Sequence, residues 1–173
     1  MKLGKHGDLR TLMLRVLYRP EKDTEKNTPR YWNTRWTLNL QADRAEIELL
    51  PCVKETVERN DCKTVLEVGC GAYVPLRKLP HCTHLDFSLN ALKRSGLDSF
   101  IFADITKGIP VPDDTFDASF SSACLMHIPD ELIAKACYEI ARVTKRLIIL
   151  NEGSARDLSK YFPDHVCEQL EVL

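Results

Sequence analysis

Residues 64–71 read Thr-Val-Leu-Glu-Val-Gly-Cys-Gly, an apolar run that ends directly in a glycine-rich turn. Val65, Leu66 and Val68 suit a short strand buried on both faces, the kind found inside parallel sheets. Gly69 and Gly71 give backbone angles closed to other residues and let a ligand approach the main chain. Glu67 interrupts the apolar pattern, and a carboxylate there is costly to bury unless it meets hydrogen-bond donors. A tight strand-to-helix turn with no ligand would also use two glycines. The decision between the two rests on the rest of the chain.

Downstream of Lys63 the pattern alternates between strand and helix. Strands are predicted at 65–68, 83–86, 99–103, 116–121 and 146–151, and helices at 74–79, 88–95 and 130–143. The last helix has Pro129 and Asp130 at its start and Leu132, Ile133, Ala136, Cys137, Ile140 and Val143 at helical spacing. Such alternation implies an α/β fold, a doubly wound and mostly parallel sheet flanked by helices. Upstream, 1–20 offers a short amphipathic helix, 20–29 a charged loop or arm, and 39–60 a long helix. That helix would bury Ala45, Leu49, Val53 and Val57 and be kinked or split at Pro51. The expected division is an N-terminal helical cap over 1–62 and a core over 63–173, packed as one compact unit.

The chain has 173 residues, 44% hydrophobic and 28% charged, with 24 Lys plus Arg against 25 Asp plus Glu. This balance argues against a dedicated electrostatic binder of nucleic acid or of an anionic membrane. No run approaches a membrane span, and the first apolar run is broken by Arg10 and Arg15, unlike a secretory signal. The seven cysteines contain no C-x-x-C pair. Reduced thiols in the cytoplasm and no metal site are the resulting expectations.

In a doubly wound sheet, ligands lie at the carboxyl ends of the strands. The second strand ends at Asp86, where an acid can accept both hydroxyls of a ribose or cap the helix after Ser88. The third ends at Asp104-Ile105, where a carboxylate and a flat apolar side chain can meet a base, or Asp104 can open a turn. A glycine turn followed by two acids at successive strand ends points to a nucleoside. The third glycine of a dinucleotide fingerprint is replaced by Val74, which disfavours a pyrophosphate, and no triphosphate-binding loop occurs.

Residues 63–151 resemble the class I, Rossmann-like S-adenosylmethionine-dependent methyltransferases of small-molecule type. Residues 65–71 look like that family's first motif, and 85–92 like its acid-containing second segment. Ala103-Asp104-Ile105 is similar to its adenine-contacting pair, and 109–117 to the approach to the fourth strand. Ser121-Ser122 with 125–128 resembles the segment facing the methionine end of the cofactor. The resemblance implies S-adenosylmethionine as cofactor, held by Glu67, Gly69, Cys70, Gly71, Tyr73, Asp86, Phe87, Asp104, Ile105, Ser121 and Ser122. Tyr73 stands where the family has a third glycine. Only 22 residues follow Asn151, so the usual C-terminal hairpin is expected to be reduced or missing, or completed by another chain.

The reaction implied is methyl transfer to an O, N or C atom of a small-molecule acceptor. An alternative is a cofactor-binding, non-catalytic or partner-dependent subunit. His127 is the candidate general base, or it shapes the pocket. Glu152 is a possible polar contact or a solvated surface acid. Tyr31, Trp32, Arg30 and Arg35 are candidates for a substrate lid, or the tryptophans simply pack beneath the long helix. The signatures of DNA-base amino and cytosine C5 methylation are absent, and no His/Cys/carboxylate cluster suggests a metal. A homodimer or a partner chain remains open.

Overall fold

The computed structural model describes residues 28–37, 49–153 and 156–170. The amphipathic stretch at 1–20, most of the 20–29 arm and the 39–48 half of the long helix, with Ala45, lie outside the described residues. Among the described residues, a six-stranded sheet has the order β3-β2-β1-β4-β5-β6, and every neighbouring pair is parallel. The strands are β1 (Val65–Val68), β2 (Cys82–Asp86), β3 (Ile101–Phe102), β4 (Phe116–Ser122), β5 (Thr144–Asn151) and β6 (Val166–Gln169). The strand order reverses beside β1, between β1 and β4, which fixes the ligand-binding end of such a sheet.

Alternate residues of the central strands feed opposite layers. Leu66, Val68, Ile148 and Leu150 join the layer of α4 (Asp130–Val143), while Val65, Leu147 and Ile149 join that of α2 (Leu49–Arg59). Helix α4 buries Ile133, Ala136, Cys137, Ile140 and Val143, five of the six residues of the stripe expected from its spacing, with Leu132 half-buried. Helix α2 buries Leu49, Val53 and Val57. It runs through Pro51, which lies in its first described turn.

Two expectations are corrected. Residues 74–79 form turns, not a helix. Pro75 and Pro80 remove donors, Val74 has φ +49°, and the Leu76 N–H goes to the Glu67 carboxylate instead of to a helical carbonyl. The third strand is reduced to Ile101–Phe102. Among the described residues, β6 is the sheet edge on the C-terminal side and pairs parallel with β5.

Segment 29–37 is helical. Thr28 accepts the Tyr31 N–H at 3.1 Å and so starts α1 (Pro29–Thr37), with proline in the first position, where it is well tolerated. Helix α1 rests on α3 (Leu89–Ser95) through Asn33, whose Oδ1 accepts from Ser88 Oγ at 2.7 Å and from the Asn90 N–H at 3.2 Å.

Candidate active site

A cavity of about 1160 Å³ opens at the carboxyl ends of β1, β2 and β4, with α1 over one side. Its floor is the glycine turn. Gly69 and Gly71 have φ +68° and +62°, and the Gly69 and Cys70 N–H groups both donate to Leu85 O, at 2.8 and 3.0 Å. The turn is closely packed. A Cβ on Gly71 would lie 2.7 Å from the Trp36 ring, and one on Gly69 would overlap Cys124. Tyr73, at the third-glycine position, is 59% exposed at the cavity rim, where its ring meets Trp36 edge-on at 5.7 Å.

Glu67 is only 2% exposed and still borders the cavity. Its Oε2 lies 2.7 Å from His84 Nδ1, and its Oε1 accepts the Leu76 N–H at 3.3 Å. Burial raises the Glu67 carboxyl above its ordinary value, and the His84 contact offsets only part of this. The parallel register sets Glu67 directly beside His84, and Cys82 shares the face of His84 two residues earlier. These three side chains bring metal-ligand-type atoms within 4.8 Å, a His/Cys/carboxylate cluster that the sequence reading overlooked. The Glu67–His84 contact accounts for its two most buried members.

Asp86 ends β2 at the cavity wall. One carboxylate oxygen accepts the Gly71 N–H at 2.9 Å and the other the Ser88 N–H at 2.7 Å. Burial raises its pKa, outweighing the backbone donors of Ser88, Gly71 and Phe87. The helix cap is Ser88, whose hydroxyl accepts the Ala91 N–H, so Asp86 is free of that duty. Asp104 borders the cavity but also makes a turn: its Oδ1 accepts from the Thr106 N–H and Oγ1, and Lys107 pairs with Oδ2 at 3.0 Å. Burial acts to raise its pKa, but these donors outweigh it and hold the carboxyl low. Phe87 and Ile105 complete this side.

The opposite wall is the segment after β4. Ser122, Ala123, Cys124, Met126 and His127 border the cavity, whereas Ser121 does not. Ser121 turns away and donates to Glu152 Oε1 at 2.7 Å, which corrects its expected place on the cofactor wall. The reading of Glu152 as a solvated surface acid is corrected too, since it is buried at 8% exposure and accepts three backbone N–H groups. Burial raises the Cys70 and Cys124 thiols well above their ordinary value, so neither is a ready thiolate nucleophile.

Helix α1 brings Tyr31, Trp32, Arg35 and Trp36 to the cavity, while Arg30 is exposed and lies off it. The Arg35 guanidinium sits over the Tyr31 and Trp32 rings at 5.5 and 5.6 Å and donates to the Tyr31 hydroxyl at 3.0 Å. Trp32 meets the His127 ring edge-on at 5.0 Å. The aromatics therefore both pack and face the cavity. Sequence reasoning missed His84, Asn33 and the role of Glu152. The period-two spacing of His84 and Asp86 was a usable signal for the first, whereas the other two carry no local signal.

Residues 66–148 match a family model described as a methyltransferase domain. A search of curated proteins gave no match. Among solved structures, magnesium protoporphyrin IX methyltransferase from Synechocystis PCC 6803 superposes with a TM-score of 0.59 at 15% identity, over 85% of this chain and 87% of that one. An S-adenosylmethionine-dependent methyltransferase assigned as such in Methanococcus maripaludis gives 0.54 at 17% identity, over 79% and 68%. Both likenesses are of fold. The [4+2]-cyclase SpnF is 25% identical over 56% of this chain, with a TM-score of 0.45, and the match spans only 41% of SpnF. The methyltransferase-domain match runs from β1 into β5, just under half of the chain's length.

Proposed function

We propose that this protein transfers a methyl group from S-adenosylmethionine to an O, N or C atom of a small-molecule acceptor. The observation that carries the reading is Asp86, a buried carboxylate at the cavity wall that is held by backbone N–H groups, Gly71 on one oxygen and Ser88 on the other. A carboxylate offers more acceptor sites than these backbone donors fill, which leaves capacity for a ribose hydroxyl, and the nucleoside end of S-adenosylmethionine presents two such donors. The glycine turn next to it borders the same cavity, and its two positive φ values are ones that glycine adopts freely. The donor set and the cavity of about 1160 Å³ fit this cofactor.

When bound, S-adenosylmethionine supplies an electrophilic methyl group on a sulfonium. The chain's own task is alignment and the exclusion of water. Glu67, Gly69, Cys70 and Gly71 would hold the amino-acid end, Asp86 and Phe87 the ribose side, and Asp104 and Ile105 the base. Tyr31, Trp32 and Arg35 would cover the acceptor, with residues 1–62 as the cap to a 63–173 core. His127, its ring set by Trp32, would take a proton where the acceptor has one to lose. Seven free cysteines support a reducing, cytoplasmic setting. Among the described residues no helix is long and apolar enough to cross a membrane.

Calorimetry with S-adenosylmethionine tests the reading, and binding by the parent protein is the expected result. No measurable binding would remove it. Labelled cofactor offered with a metabolite pool then separates an enzyme from a partner-dependent subunit, since the subunit would transfer label only when a second protein is added.

A further inference from the structure

The segment that forms the wall opposite Asp86 is strained. Ala123 has φ +47° without being glycine, and such a residue persists only where its surroundings over-determine it. Its N–H is taken by Asn151 O at 3.0 Å. The next three N–H groups all go to one carboxylate: Glu152 Oε1 accepts from Cys124 and Leu125 at 3.2 Å each, and Oε2 accepts from Met126 at 3.1 Å. The Ser121 hydroxyl adds a fourth donor at 2.7 Å. Glu152 itself does not border the cavity, although its chain neighbours Asn151 and Gly153 do, and its carboxylate acts on the site through the segment it holds.

We propose that Glu152 is a positioning residue for methyl transfer, its buried carboxylate seating segment 121–127 against the glycine turn and so placing Met126 and His127 in the cavity wall. The inference rests on the function proposed above. Its physical basis is the convergence of successive N–H groups on one anion, an arrangement that neutral acceptors fill poorly. The seat is tight, because Cys124 leaves no room for a Cβ on Gly69. A small shift of the segment therefore alters both walls at once. A glutamine at 152 keeps the shape but replaces one oxygen by an NH2 group, which would face a donor whichever way the amide turns.

The test is calorimetric titration of S-adenosylmethionine into the parent, Glu152→Gln and Ser121→Ala proteins, with circular dichroism to verify folding. The Trp32 indole N–H resonance is followed in the same samples, because Trp32 touches His127. The expected result is roughly tenfold weaker binding for Glu152→Gln and roughly threefold for Ser121→Ala, with a shifted Trp32 signal in both. Folded Glu152→Gln protein that binds like the parent, whatever its melting temperature, would reduce Glu152 to a structural role and overturn the proposal. If Glu152→Gln does not fold, unchanged binding and an unchanged Trp32 signal in Ser121→Ala overturn it instead. A parent protein that binds no cofactor removes the functional reading and this inference together, an outcome distinct from the other two.

Discussion

The two walls of the cavity solve the same problem by opposite means. Across the β1–Asp86 side the chain bends at Gly69 and Gly71, where positive φ carries no Cβ penalty. Across the post-β4 side it bends at Ala123, where positive φ does carry one, and a distant buried acid holds the bend in place. The first wall is written in local composition. The second depends on a contact between β4 and the end of β5, so it exists only once the sheet has formed. A bend built from glycine is robust to loss of its neighbours, whereas a bend held by Glu152 is only as firm as that carboxylate's hydrogen bonds.

The largest effect is expected at Asp86. Asp86→Ala strips the acceptor from the Gly71 and Ser88 N–H groups and from the proposed ribose contact. Cofactor affinity should fall roughly a hundredfold by calorimetry. Retained affinity would show that the glycine wall works without its acid. Burial raises this carboxyl, so binding should also fade on acidification at a higher pH than an ordinary aspartate would give.

Gly69→Ala tests the contact between the walls. It combines positive φ with overlap on Cys124, and should cost about 2 kcal/mol of stability in denaturant unfolding. A cost near zero would mean that the two walls are less tightly seated than the geometry requires.

Ala123→Gly should act with the opposite sign. It relieves the strained φ and offers a gain of at most about 1 kcal/mol, partly cancelled by the greater freedom of glycine in the unfolded chain. A clear loss of stability would show that the Ala123 methyl group packs favourably and that strain is not the governing term.

The smallest effect lies at the other end of the sheet and serves as a control for both walls. Asp117 accepts the Lys63 and Thr64 N–H groups at 2.8 and 3.0 Å and pairs with Lys145 at 3.2 Å. Burial acts to raise its pKa, but these donors outweigh it and bring it from 3.8 to about 2. A depressed carboxyl stabilises the folded state above its unfolded pKa. The Asp117 contribution is therefore complete above about pH 4 and lost as the pH falls toward about 2. Asp117→Asn should remove that slope, worth on the order of 1 kcal/mol or less after solvent screening, and leave cofactor affinity unchanged. A parallel loss of affinity would mean that the two ends of the sheet are coupled.

Much of the fold was legible because its signals are local and repeat along the chain. The buried stripe of α4 and the strands at 65–68 and 116–121 appear within a residue of their expected places. The expected helix at 74–79 failed because Pro75, Pro80 and the claim of Glu67 on the Leu76 N–H outweigh a weak apolar pattern. Asp104 was read with both roles open, and its carboxylate makes the turn while bordering the cavity. Ser121 and Arg30 have the residue types a site would use but point elsewhere, and side-chain direction at a strand end is set by register and neighbours.

The sequence by itself determined the glycine turn, the acid at the end of β2 and the alternation that makes a parallel sheet. These follow from backbone freedom, charge and periodicity, which belong to single residues and their near neighbours. Only the tertiary structure decided that Glu67 pairs with His84, that Asn33 seats α1 on α3, and that Glu152 is buried behind the post-β4 wall. The physical reason is desolvation. A polar side chain can be buried only where partners distant in sequence converge to satisfy it, and that convergence is a property of the folded sheet.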